Sequence, residues 1–177
     1  MNLRLTAVQI FLPNTIKHRK LCTLFSLTAN AFSYPMPVLD SLPYGKILDL
    51  YATFTRDAVE DAERRGKEFV SIRQRLFDGA RAMGSDVRKE LKISTFSEAM
   101  IAARVIYRSI GIDFRADPLG NAIIPKCFFS TTYSESVCRL ISALDEGLIA
   151  GLSGNGRLSF SQRITEGFPC CTAKIEL

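Results

Sequence analysis

Apolar residues recur at helical spacing through the first part of the chain from residue 41 onward. One stripe, with spacings of four, three and four, predicts a helix from Ser41 to Gly66. Its members are Ile47, Tyr51, Phe54 and Ala58. A second stripe predicts the next helix, with Gly84 as its C-terminal cap and a short helical turn near Val87–Leu91 after it. Its members are Phe69, Ile72, Leu76, Ala80 and Met83.

The next helix has start and stop signals of its own. Thr95 and Glu98 have the spacing of a capping box, in which each side chain bonds the other residue's backbone N–H. The apolar run behind them, AMIAARVIYRSIG, ends at Gly111. Three or four helices are therefore predicted before the pattern changes.

In the second half, strand patterns flank one more helix. Two short strands over 112–130 surround the turn sequence Asp117-Pro-Leu-Gly-Asn121. A capping box of Thr132 and Glu135 predicts the start of a helix that buries Val137, Ile141, Leu144 and Leu148. RLSFSQRIT follows as a strand with Leu158, Phe160 and Ile164 on one face, and EGFP turns into a last strand. The predicted fold class is α+β, with helices packed on one face of a small antiparallel sheet.

The last strand carries two adjacent cysteines. Because neighbouring residues of a strand point to opposite faces, Cys171 is predicted to face the core with Ala173 and Ile175. Cys170 is then predicted to lie on the opposite, more accessible face.

Residues 1–36 are predicted to form an N-terminal extension, and residues 37–177 are predicted to form the α+β domain. The extension includes LTAVQIFLP, which has the composition of an edge strand, and KHRK followed by LCTLFSLTANA. KHRK and LCTLFSLTANA together have the features of a secretory signal peptide: a charged segment, an apolar segment and an Ala-x-Ala site. An edge strand, or an extension packed on a neighbouring subunit, is the preferred interpretation.

Charge and hydropathy narrow the class of protein. The 177 residues are 47% hydrophobic and carry a net charge of +5 from 23 Lys and Arg against 18 Asp and Glu. Four of these bases, Arg4, Lys17, Arg19 and Lys20, precede the first acidic residue, so the remaining 19 nearly balance the acids. This distribution argues against nucleic-acid binding, and no apolar run reaches the roughly 18 to 20 residues of a membrane span. A cytoplasmic protein is expected.

Residue counts remove several kinds of catalytic site. His18 is the single histidine, so an HExxH zinc site is excluded and a Ser-His-Asp or Cys-His site needs its base in the extension. The glycines at 151, 154 and 156 follow a helix and lack the order of a dinucleotide-binding loop. Four cysteines of the domain remain: Cys127, Cys138, Cys170 and Cys171. None has CxxC spacing, and buried structural cysteine is the common alternative for each.

The segment from Ala122 to Leu177 resembles the C-terminal part of the 4-vinyl reductase domain, a hydrocarbon-binding family. The matching features are Cys138 on a helix, Gly147 and Gly151 at that helix's end, and Gly167 followed after three residues by Cys171. The resemblance implies a fold similar to that of TRAPP vesicle-tethering subunits. It also implies that the domain binds a small apolar or aromatic molecule, with a sensory or regulatory role as a further expectation.

Some sensors of this fold hold a structural zinc, and here the resemblance is incomplete. Cys138 and Cys171 match two ligands, whereas Phe160 and Arg163 stand where a glutamate and a middle cysteine are expected. Two ligands do not make a tetrahedral site. Either Cys127 and Cys170 complete the site or the metal has been lost, and loss is preferred.

The ligand is expected between the helices and the sheet, with Phe128, Phe129, Tyr133 and Phe160 as lining residues, although packing in the core explains the same aromatics. The protein is expected to be a homodimer, because the 41–66 helix and the extension carry more apolar surface than a small sheet covers. A related branch of the family implies an alternative function: a cysteine-dependent hydrolase resembling amino-thiazoline carboxylate hydrolases. That function requires a thiol of lowered pKa and a nearby base.

Overall fold

The computed structural model describes residues 2–39 and 42–177 and has an α+β fold, as predicted. In these residues six α-helices pack against a four-stranded antiparallel sheet. The helices are α1 Leu3–Ile10, α2 Asn14–Phe32, α3 Tyr44–Arg64, α4 Phe69–Glu90, α5 Phe96–Ser109 and α6 Glu135–Ser153. The strands are β1 Ile112–Ala116, β2 Asn121–Cys127, β3 Arg157–Gln162 and β4 Cys171–Glu176, and short 3-10 helices cover Phe128–Thr131 and Ile164–Glu166.

The sheet has the order β1-β2-β4-β3, so the last strand of the chain lies in its interior. Ile124 stands opposite Cys171, and Leu158 stands opposite Ile175, with all four buried on the helix side. The predicted alternation of the last strand is therefore confirmed for Cys171, although Cys170 lies just before β4. In the β1–β2 turn, Gly120 has a φ of +82°, and its carbonyl accepts a 2.7 Å hydrogen bond from the Ile175 N–H.

The N-terminal extension is helical, so the prediction of an edge strand is wrong. In α2, Leu21, Phe25, Ala29 and Phe32 are buried at spacings of four, four and three, which is a helical stripe. The Phe25 side chain is fully buried, and its ring meets that of Tyr51 on α3 at 5.3 Å. The boundary predicted at residue 36 thus separates segments whose side chains share one core.

Helix α4 continues through Gly84 to Glu90, so the prediction of a cap at Gly84 is wrong. A Cβ added at Gly84 would lie 2.6 Å from the carbonyl oxygen of Leu148 on α6. On the facing helix, a Cβ at Gly147 would lie 2.2 Å from the Phe77 carbonyl oxygen. Glycine is needed here because the backbones of α4 and α6 approach closely. A glycine in such a contact does not interrupt the helix, so the apolar pattern alone does not reveal it.

Other element boundaries differ by a few residues. The Thr95–Glu98 capping box is confirmed at the start of α5. The N-cap of α6 is Ser134, whose hydroxyl accepts a hydrogen bond from the Val137 N–H, so the predicted capping box at Thr132 is wrong. Strand β3 ends at Gln162, and Ile164 begins a 3-10 helix. The predicted start of a helix at Ser41 lies outside the described residues.

Candidate functional site

Three of the four predicted cysteines lie with an aspartate and a tyrosine between the helices and the sheet. We call this group, Tyr107, Cys127, Cys138, Asp145 and Cys171, the thiol-carboxyl cluster. Its members come from α5, the end of β2, α6 and the start of β4. The Tyr107 hydroxyl donates a 2.9 Å hydrogen bond to Asp145 Oδ1, and the Ile164 N–H donates a 3.4 Å bond to Cys171 Sγ.

Burial governs the ionisation of the cluster. It raises the pKa of the Asp145 carboxyl to about 7, although the hydrogen bond from Tyr107 lowers that pKa. Burial also raises the pKa of the Cys127 thiol to about 12 and raises those of Cys138 and Cys171. Negative charge on Asp145 further raises the pKa of each of these three thiols. The cluster therefore favours neutral thiols near pH 7, and a thiol is a poor nucleophile compared with a thiolate.

The cysteines of this chain do not fit the structural zinc site that the resemblance to the 4-vinyl reductase family suggests. Within residues 2–39 and 42–177, no three His, Cys, Asp or Glu side chains are arranged to hold a metal ion. The two possible additional ligands are Cys127 and Cys170; Cys170 precedes β4 and is half-buried, whereas Cys171 is buried. His18 makes its contact elsewhere, with its Nδ1 3.6 Å from Cys22 Sγ one turn along α2.

Three of the four predicted ligand-binding aromatics form one packed group. Phe129 stacks on Tyr133 at 5.3 Å and meets the rings of Phe128 and Tyr51 edge-on at 5.3 and 5.9 Å. Phe160 is not part of this ring group: the Arg163 guanidinium lies 4.6 Å from its ring centre, and both line a separate cleft beside α4.

Three buried hydroxyl groups near the aromatic group and near Cys138 lack a regular hydrogen bond. Thr55 Oγ1, Tyr133 OH and Thr165 Oγ1 are buried without a hydrogen bond of normal geometry to any residue that the structure describes. Thr55 still lies near enough to Tyr51 and Tyr133 to lower the pKa of each. Buried polar groups usually have partners, so these hydroxyls retain the capacity to bind a polar group or a water molecule.

An apolar groove runs between the N-terminal helices and the helices α4 and α5. It has a volume of about 180 Å³. Its aliphatic lining includes Leu12, Ile16, Leu24, Met83, Val105 and Ile106, and its charged lining is Lys17, Arg19, Lys20 and Glu90. We refer to it as the apolar groove.

Hydrogen bonds from the start of the chain hold this groove together. Asn2 Nδ2 donates to the Leu91 carbonyl at 2.9 Å, and Arg4 Nη1 donates to the Glu90 carbonyl at 2.7 Å. On the other wall, Arg108 Nη2 donates to the Gln9 carbonyl at 2.9 Å. Helix α1 is thereby fixed to the end of α4 and to α5.

The sequence patterns did not predict the apolar groove, because for one of its walls they favour an edge strand or an extension packed on a neighbouring subunit. A signal was present in α2, where Leu21, Phe25 and Ala29 are spaced by four residues. The preceding KHRK cluster obscured it by suggesting a signal peptide. Lys17 and Lys20 of that cluster in fact line the groove.

Comparison of the chain with models of protein families, with curated proteins and with solved structures gave no match in any of the three. The resemblance to the 4-vinyl reductase domain therefore stays a prediction. Among the described residues, no helix combines the length and the apolar character that crossing a membrane requires.

Proposed function

We propose that this protein is a small-molecule binding domain for an apolar or aromatic ligand, and that the ligand occupies the apolar groove. The observation that supports this most directly is the aliphatic lining contributed by α1, α2, α4 and α5. Binding sites for small molecules are mostly apolar, with a few polar groups that orient the ligand. Lys17, Arg19 and Lys20 supply such groups at this site.

The size of the groove favours a small ligand. An engineered apolar cavity of about 150 Å³ binds benzene, and the apolar groove measures about 180 Å³. One aromatic ring or a short aliphatic chain is the ligand class that this volume accommodates. A ligand of this class agrees with the apolar or aromatic molecule expected from the family resemblance, but the groove lies away from the lining residues expected there.

The hydrolase alternative has less support. A cysteine nucleophile requires a lowered thiol pKa, and burial raises the pKa of Cys127, Cys138 and Cys171. The single histidine contacts Cys22 on α2. Turnover of a thiazoline carboxylate that is abolished in Cys138→Ala or Cys171→Ala would establish the hydrolase in place of a binding domain.

We also propose that the protein is a homodimer and that it is located in the cytoplasm. Exposed apolar side chains cluster near the start of the chain, where Leu3, Ile10 and Phe11 are 72%, 80% and 70% exposed. A second copy of the chain would cover this surface, since paired identical patches are the commonest form of assembly. Light scattering of the full chain at micromolar concentration tests it, and a monomer mass would contradict the dimer.

Binding of toluene tests the ligand proposal. In Ile106→Trp, the larger side chain fills the apolar groove, so we expect at least about tenfold weaker toluene binding by calorimetry. The matched control is Ile101→Trp, on the same helix but outside the groove and 37% exposed. Its affinity should equal that of the wild type. An absence of saturable toluene binding, or equal loss in both variants, would contradict the proposed site.

A further inference from the structure

A second cleft lies between α4, α6 and the edge strand β3. It has a volume of about 590 Å³, within the range of roughly 300 to 1,000 Å³ that small-molecule sites occupy. Its charged lining consists of four arginines and one acid: Arg73, Arg81, Arg157, Arg163 and Glu146. We call it the arginine cleft. It shares no lining residue with the apolar groove.

Two of the four arginines already have acidic partners. Arg73 Nη2 lies 2.6 Å from both carboxylate oxygens of Glu146, which neutralises the one acid of the lining. Arg163 Nη1 lies 3.5 Å from Glu166 Oε1. These pairs hold the two guanidinium groups in place in the lining of the cleft.

The other two arginines have no acidic group within ion-pair distance among the described residues. Arg81 Nη2 donates a 2.6 Å hydrogen bond to the neutral amide oxygen of Asn155. Arg157 is exposed at the start of β3, and Glu176 stands opposite it on β4. A ligand with two negative charges would balance this pair.

The walls of the cleft supply apolar surface and further hydrogen-bonding groups. Phe77 on α4 and Phe160 on β3 are half-buried and line the cleft with the arginines, and Leu158 of β3 is buried. Among the strands of the described residues, β3 pairs with β4 alone, so the backbone N–H and C=O groups on its outer edge are not used by the sheet. Arg163 Nε is buried and has no hydrogen-bond partner among the described residues.

From these contacts we propose that the arginine cleft binds a phosphate monoester with a small apolar or aromatic body. The guanidinium group matches phosphate geometry because its N–H groups can form two parallel hydrogen bonds to phosphate oxygens. Arg81 and Arg157 hold the dianion, and Phe77 and Phe160 contact the body. The site is separate from the apolar groove, so it does not depend on the function proposed above.

Calorimetric titration of the full chain with phenyl phosphate tests the inference. We expect saturable binding, tighter than that of inorganic phosphate, and weaker at high salt because exposed charges are screened. Arg81→Gln and Arg157→Gln should each weaken phenyl phosphate binding by about 10-fold to 100-fold, the effect of losing one hydrogen bond to a charged group. Arg157 is exposed, so its substitution keeps the test valid if Arg81→Gln disturbs folding.

The matched control is Arg64→Gln, which removes the same charge from α3, where the side chain is 75% exposed and outside the cleft. Its affinity for phenyl phosphate should equal that of the wild type. An equal loss in all three variants would overturn the inference, because it would indicate a general charge effect. Failure of phenyl phosphate to bind would overturn it as well, and binding of an acidic peptide alone would assign the β3 edge to a protein partner.

Discussion

Gly84 on α4 and Gly151 on α6 lie against each other, so that a Cβ added to Gly151 would be 2.9 Å from Gly84 Cα. The same added atom would be 2.2 Å from the Arg81 carbonyl oxygen. Contact between the two backbones brings α6, which carries Cys138 and Asp145, against the helix that supplies Arg73 and Arg81. The glycines therefore set the width of the arginine cleft as well as the packing of the core.

Gly151→Ala should destabilise the protein by about 1 to 3 kcal/mol, the usual cost of forcing extra volume into a packed site. The added methyl group meets backbone atoms, which cannot rotate away. Gly45→Ala is the control, because a Cβ there has nothing within 4 Å. It should stabilise by up to about 1 kcal/mol, since alanine restricts the unfolded chain more than glycine does. Urea unfolding of both variants measures the difference, and equal stabilities would contradict the close approach.

Asp145→Asn should stabilise the protein at pH 8 but hardly at pH 4. The folded-state pKa of Asp145, about 7, lies above the ordinary value, so the folded state binds the proton more tightly than the unfolded state. The wild type therefore loses stability as the pH rises from about 4 to 7. Asparagine is always neutral and can still accept the hydrogen bond from Tyr107. We expect a gain on the order of 2 to 4 kcal/mol at pH 8.

Urea unfolding between pH 4 and pH 8 measures this effect. Asp86→Asn removes one negative charge from the surface of α4, where the Asp86 side chain is 67% exposed. Its stability should stay close to that of the wild type at each pH. An equal gain at pH 4 and pH 8 in Asp145→Asn would mean that ionisation of Asp145 is not the cause.

Phe25→Ala should cost about 3 to 5 kcal/mol, as expected for removal of a buried aromatic ring. Phe25 belongs to the N-terminal segment, and its ring packs on Tyr51 and on Phe54 at 4.9 Å. Phe168→Ala, at a side chain that is 40% exposed, should change stability much less. Thermal unfolding compares the two. If both variants lost only a little stability, residues 1–36 would form a detachable extension instead of part of the core.

A thiol-alkylating reagent should modify Cys170 before Cys171 under native conditions. Cys171 is 7% exposed, burial raises its thiol pKa, and its sulfur accepts a hydrogen bond from the Ile164 N–H. Cys170 is half-buried and precedes the strand. Peptide mapping by mass spectrometry follows each residue, and Cys170→Ser should remove the faster modification. Equal rates for the pair would contradict the register of β4.

Local sequence patterns determined the α+β class and much of the helix and strand order. Thr95 and Glu98 form their capping box within one turn of helix, so their spacing alone predicts it. The alternation that buries Cys171 and Ile175 likewise follows from the two-residue period of a strand. Such signals depend on neighbours a few residues apart, and they are readable before any tertiary contact forms.

Only the tertiary structure decided the role of Gly84, the course of the N-terminal segment and the grouping of the site residues. Gly84 has the appearance of a helix stop until α6 is packed against it, through residues such as Leu148 that come more than 60 positions later in the chain. Cys127, Cys138, Asp145 and Cys171 come together because the sheet places β4 beside β2, which no periodicity expresses. Contacts between distant segments depend on the packing of the whole chain, and that packing also placed the apolar groove and the arginine cleft.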